Sequence, residues 1–144
     1  MRSRLIEETC TKAKLDTRYS GTLEKIIKRI EAGGCEVMAR EDGVPSSYTP
    51  YTDRPPIIRI NLNRVEEPLN VFWRLLHEYE HHLSGTRQEM DQTMAREEVA
   101  WEKADAIVQE YPYLLPLIAD YSRCKAHDLN TYRVYFATEN FSNC

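Results

Sequence analysis

The feature that most restricts this chain is His77-Glu78-Tyr79-Glu80-His81, an HExxH pattern inside a strongly helical stretch. Apolar residues recur at Leu69, Phe72, Leu76, Tyr79 and Leu83, spaced three and four apart, which predicts an amphipathic helix. Pro68 falls in its first turn, where a missing N–H costs nothing, and Gly85 stands where the chain is expected to leave the helix. Residues i and i+4 share a helical face, so His77 and His81 can reach one cation. Glu78 then sits beside the cation's open position, where it can take a proton from water. The competing reading is two surface histidines on an acidic helix. The β-branched run Ile57-Ile58-Arg59-Ile60-Asn61-Leu62 just upstream weighs against it, because a strand before the helix is the context the motif requires.

Catalytic zinc has three protein ligands and one open position, so a third ligand is needed. Residues 94–110 read as a helix stopped before Pro112, with Ala100, Trp101, Ala104, Ile107 and Val108 on one face. Glu98, Glu102, Asp105 and Gln109 fall together on the solvated side. Glu97 instead shares the stripe of Trp101, Ala104 and Val108, where a carboxylate is costly unless something pairs with it. A metal would be that partner; water or the helix dipole at the N-terminal end is the other account. Glu97 is the preferred third ligand, with Glu102 and Glu98 as alternatives.

The remaining pattern predicts helices over residues 3–15 and 22–32, the second carrying Leu23, Ile26, Ile27 and Ile30 and stopped by Gly33-Gly34. Cys35 to Ala39 reads as a short strand, and the proline-rich stretch Glu41 to Pro56 as a loop or irregular hairpin tip. Leu114 to Lys125 reads as a last helix, whereas residues 131–136 fit strand and helix equally. The expected fold is α+β, a mainly helical, minimal zincin-like domain with a small sheet packed against the HExxH helix. At 144 residues, with no repeat or Gly/Ser-rich linker, the chain reads as one domain, its motif core at about 57–108.

Composition narrows the function classes. From Leu76 to Asp120 there are ten acidic residues against three Lys and Arg, and the whole chain carries −4, so no basic footprint for nucleic acid is expected. No apolar run approaches the roughly 20 residues of a membrane span, and no signal peptide is readable at the start. Cys10, Cys35, Cys124 and Cys144 lie far apart without CxxC spacing, which suggests reduced thiols in a cytoplasmic protein.

Weaker candidates surround the motif. Tyr48, Tyr51, Tyr111, Tyr113 and His127 are each candidate donors to the oxyanion of a tetrahedral intermediate, though residues of this kind are more often plain packing or loop surface. Asp105 or Asp120 is a candidate to orient a ligand imidazole through its second nitrogen. His82 points about 100° away from His81 around the helix, so it reads as a half-exposed or supporting residue and not as a fourth ligand. Trp73 and Trp101 read as core residues.

An Ile/Asn-rich strand, a helix with HExxH and a helix with Glu-x-x-Ala together resemble the ImmA/IrrE family of metallopeptidases over about Ile57 to Val108. In Glu97-Glu98-Val99-Ala100-Trp101-Glu102-Lys103-Ala104 the first Glu and both alanines match that family's later motif, while Trp101 replaces an Asn and Lys103 an aromatic residue. The resemblance implies a gluzincin: zinc on His77, His81 and Glu97, Glu78 as the base, and regulatory cleavage of a protein such as a transcriptional repressor. Manganese and iron are the other candidate ions. Two other classes stand beside this reading. One is a non-catalytic regulator that keeps the metal site and binds a partner, against which an intact Glu78 argues. The other is a metal-dependent hydrolase of non-peptide bonds, which would activate water in the same way.

Overall fold

A computed structural model describes residues 4–42, 46–64, 67–83 and 94–142. The expected position of Gly85 at the helix exit and the start of the first helix at Ser3 lie outside the described residues. The described residues form five α-helices and a three-stranded sheet: α1 (Arg4–Lys12), α2 (Ser20–Ala32), β1 (Glu36–Arg40), β2 (Ser47–Thr49), β3 (Ile57–Asn61), α3 (Asn70–Leu83), α4 (Met94–Glu110) and α5 (Ile118–Ser142). This is the mainly helical α+β fold expected from the sequence.

Each early element follows from its own residues. In α2, Leu23, Ile26, Ile27 and Ile30 are all buried, as their spacing requires. The helix ends when Gly34 N donates to Glu31 O and Cys35 N to Ile30 O, with Gly34 at φ +95. Only glycine adopts that left-handed conformation cheaply, and the turn it makes sends the chain into β1. Gly33 has another role. A Cβ there would stand 2.1 Å from the Tyr79 hydroxyl, so its missing side chain lets α3 approach the end of α2.

The sheet order is β1-β3-β2, with β1 parallel and β2 antiparallel to β3. Tyr48 pairs with Ile58 in a stretch expected to be a loop or an irregular hairpin tip. Three residues among prolines carry too short an alternation to announce a strand; pairing with β3 makes it one. Central β3 is covered on both faces: Ile57, Ile58, Ile60 and Asn61 are buried. Asn61 stays satisfied there by donating Nδ2 to Asp42 O and accepting from Asn63 N through Oδ1.

Helix α3 packs against α2, β2 and β3 on one side and α4 and α5 on the other. Its buried set is therefore wider than a single stripe: Val71, Trp73 and Leu75 join Phe72, Leu76 and Tyr79. Leu83, expected on that stripe, is instead 48 % exposed at the helix end. The last helix is also longer than expected. Pro116 sits in a single 3-10 turn, Leu115–Leu117, after which α5 runs through residues 131–136 to Ser142. Packing decides that ambiguous stretch, since Tyr121, Cys124 and Asp128 on the same helix are buried against the rest of the molecule. No described helix is long and apolar enough to cross a membrane.

Candidate metal centre

The HExxH histidines lie one turn apart on α3 and their Nε2 atoms are 3.3 Å from each other. Glu97, in the first turn of α4, brings Oε2 to 2.8 Å from His77 Nε2 and Oε1 to 3.5 Å from His81 Nε2. One ligand atom from each of the three lies within 4.8 Å of the others, so His77, His81 and Glu97 can hold a metal ion. His77 is 1 % and Glu97 2 % exposed. Although Glu97 Oε2 is so close to His77, it makes no hydrogen bond of sound geometry among the described residues. Two imidazole nitrogens and a carboxylate gathered this closely are a donor set that a cation can share. Burial would push the Glu97 carboxyl up, yet the two imidazoles beside it hold it down at about 2.

The other candidate acids separate as their helical phase predicts. Glu98 and Glu102 are exposed on the far side of α4. Glu78 is half-buried on the motif helix. Burial pushes its carboxyl up, against the opposing pull of His77 and His81. Glu80, in the motif's fourth position, is fully buried and pushed up to about 7, chiefly by burial and partly offset by Lys103 and Arg29. It lies inside the helix packing and belongs to none of the ligand contacts.

Two expectations about supporting residues change. Asp105 accepts from the Tyr121 hydroxyl and from Lys125 Nζ at 2.7 Å. Asp120 accepts from Trp73 Nε1 at 2.7 Å and from Arg123. Neither therefore orients a ligand imidazole, because stronger donors on α3 and α5 claim both carboxylates. Another carboxylate lies close to the ligands: Asp128 on α5, with Oδ2 4.0 Å from His77 Nε2. Trp101 is a core residue, as expected, and also more: its ring stacks on His77 with centroids 4.6 Å apart and planes at 26°.

His82 stands away from the ligands. Its Nε2 must donate to the Gly33 carbonyl (3.0 Å), which can only accept, so Nδ1 accepts from the Tyr48 hydroxyl (3.0 Å). The ring thus ties α3 to β2 and to the turn after α2. The Tyr51 hydroxyl accepts from Arg59 and the Tyr111 hydroxyl from Arg29, Tyr113 lies under Lys25, and His127 is exposed. The tyrosine that sequence reading missed is Tyr132, half-buried on α5 one turn after Asp128. Burial, together with the charges of Glu97, Asp128 and Glu78, pushes its phenol up, which places it in the field of the site. A continuous helix through residues 131–136 would have been the signal for it, since Asp128 and Tyr132 then share a face.

No protein-family model matches the chain, and no curated protein or solved structure is significantly similar to it.

Proposed function

We propose that this chain is a zinc-dependent endopeptidase of the ImmA/IrrE type that cleaves a regulatory protein such as a transcriptional repressor. The observation that carries the reading is the convergence of His77, His81 and a buried Glu97, with Glu78 next to His77 on the helix that bears both histidines. Two imidazoles and one carboxylate are the donor set of many catalytic zinc sites, and manganese or iron would also be accepted by it. A bound ion of this kind supplies a Lewis acid that polarises a carbonyl and makes a nearby water more acidic. With such an ion in place, Glu78 would be the group that takes a proton from a water beside the site and returns it to the leaving amine.

The position of strand β2 favours the peptide-substrate reading. It is the sheet's outer strand on the α3 side, joined to α3 through Tyr48 and His82. An extended segment adding to its outer edge would be read by its backbone, a mode suited to a protein chain. The acidic balance around the motif fits a protein partner better than a nucleic acid, and widely spaced free thiols fit a reducing cytoplasm.

The test is N-terminal labelling of protein fragments after the zinc-loaded protein acts on a bacterial cell extract, with Glu78→Gln run in parallel. New N-termini that appear only with the unaltered chain support an endopeptidase. The same fragment profile from both would overturn it.

A further inference from the structure

One buried carboxylate at the site is neither a ligand nor the base. Asp128 is 7 % exposed, and its two oxygens are divided between two helices. Oδ1 accepts from Arg74 Nη1 on α3, and Oδ2 accepts from Trp101 Nε1 on α4 at 3.0 Å. Both donors stand one turn from a ligand on their own helix: Arg74 precedes His77, and Trp101 follows Glu97. A carboxylate held this way fixes the separation of α3 and α4 at the depth of the site.

The second observation concerns His77. A metal-bound imidazole usually donates its other ring nitrogen to a carboxylate, carbonyl or water, which fixes its orientation. His77 Nδ1 is buried and has no hydrogen-bond partner among the described residues. Its ring is held instead by stacking on Trp101, and the Trp101 indole is held by Asp128. The Asp128 charge also lies on the ligand side of the ring, 4.0 Å from Nε2, where it favours a cation.

We propose that Asp128 is the positioning residue of the metal centre: through Arg74 and Trp101 it sets the distance between the two ligand-bearing helices and the plane of His77. This rests on the reading that His77, His81 and Glu97 bind a divalent ion, and its test reads metal binding without any substrate.

The experiment titrates the full chain with zinc against a chromophoric chelator and, separately, records the visible spectrum of the cobalt(II)-loaded protein. The variants are Asp128→Asn, which keeps shape and loses charge, and Trp101→Phe, which keeps a stacked ring and loses the N–H. Circular dichroism checks that each is folded. Asp128→Asn is expected to weaken zinc binding about 10- to 100-fold and to shift the cobalt bands. Trp101→Phe is expected to weaken zinc binding by a smaller factor, and the double variant by less than the product of the two, because both act through one hydrogen bond. A folded Asp128→Asn that binds zinc within twofold of the unaltered chain, with the same cobalt spectrum, overturns the proposal. Should Asp128→Asn fail to fold, unchanged zinc affinity and cobalt bands in Trp101→Phe overturn it equally. If the unaltered chain itself takes up no metal, the metal-centre reading is what fails, and that outcome is distinct from a variant matching a metal-binding parent.

Discussion

Glu97 Oε2 lies 2.8 Å from His77 Nε2, on a different helix, with both side chains almost wholly buried. A carboxylate in such a place is destabilising unless a charge or donors offset its lost hydration. Glu98 and Glu102, its neighbours on the same helix, remain in solvent. The difference predicts a sharp contrast between adjacent residues. Glu97→Ala should weaken zinc binding by at least 100-fold, because it removes a ligand and its charge. Glu98→Ala and Glu102→Ala should leave it nearly unchanged, as each takes away only a solvated charge. Chelator-competition titration of the three variants measures this, and comparable losses at Glu98 or Glu102 would contradict the assignment.

Glu78 is the next discriminating position. It touches no ligand contact of the three-residue group, so Glu78→Gln should keep both zinc affinity and the thermal stabilisation that zinc confers. Hydrolysis should nevertheless fall by about 10²- to 10⁴-fold, the usual contribution of a positioned general base. Parallel melting curves and cleavage rates test the split. A variant that loses zinc would make Glu78 part of the binding set instead.

The group that can hold a metal ion was legible in the sequence because both of its signals are local. His77 and His81 share a face by helical geometry, and Glu97 stands out from Glu98 and Glu102 by phase alone. Strand β3 was legible too, since Ile57, Ile58 and Ile60 are β-branched and follow prolines. What sequence could not supply depends on contacts distant along the chain. The Ser47–Thr49 strand exists only through its ladder with β3. The helical state of residues 131–136 continues an α5 anchored by Tyr121 and Asp128. With that helix unread, Asp128 and Tyr132 had no face to share and no visible relation to the histidines. Asp105 and Asp120 were plausible orienting acids by sequence, but Tyr121 and Trp73 turn them elsewhere.

The approach of Tyr79 to Gly33 yields a stability prediction. Gly33→Ala has an ordinary backbone conformation to occupy, since φ is −81, so any cost is steric. The added Cβ must displace the Tyr79 ring, which should cost about 1–3 kcal/mol in chemical denaturation. Adding Tyr79→Phe removes the oxygen at 2.1 Å and should recover part of the loss, although ring carbons remain at 2.9 Å. A Gly33→Ala protein as stable as its parent would show that the helices separate freely here.

Burial pushes the Cys35 thiol up to about 11, leaving little thiolate at pH 8. Iodoacetamide should therefore modify Cys35 at least tenfold more slowly in the native protein than after unfolding in urea. Peptide mapping over a time course gives the ratio. Equal rates would mean that the turn joining α2 to β1 opens readily.

The central claim is that His77, His81 and Glu97 form one metal centre, and elemental analysis after equilibrium dialysis against zinc tests it most directly. The account predicts one zinc per chain for the unaltered protein, and loss of that ion in folded His77→Ala and His81→Ala variants. A chain that retains no zinc or other divalent metal after dialysis, or histidine variants that retain a full equivalent, would contradict it.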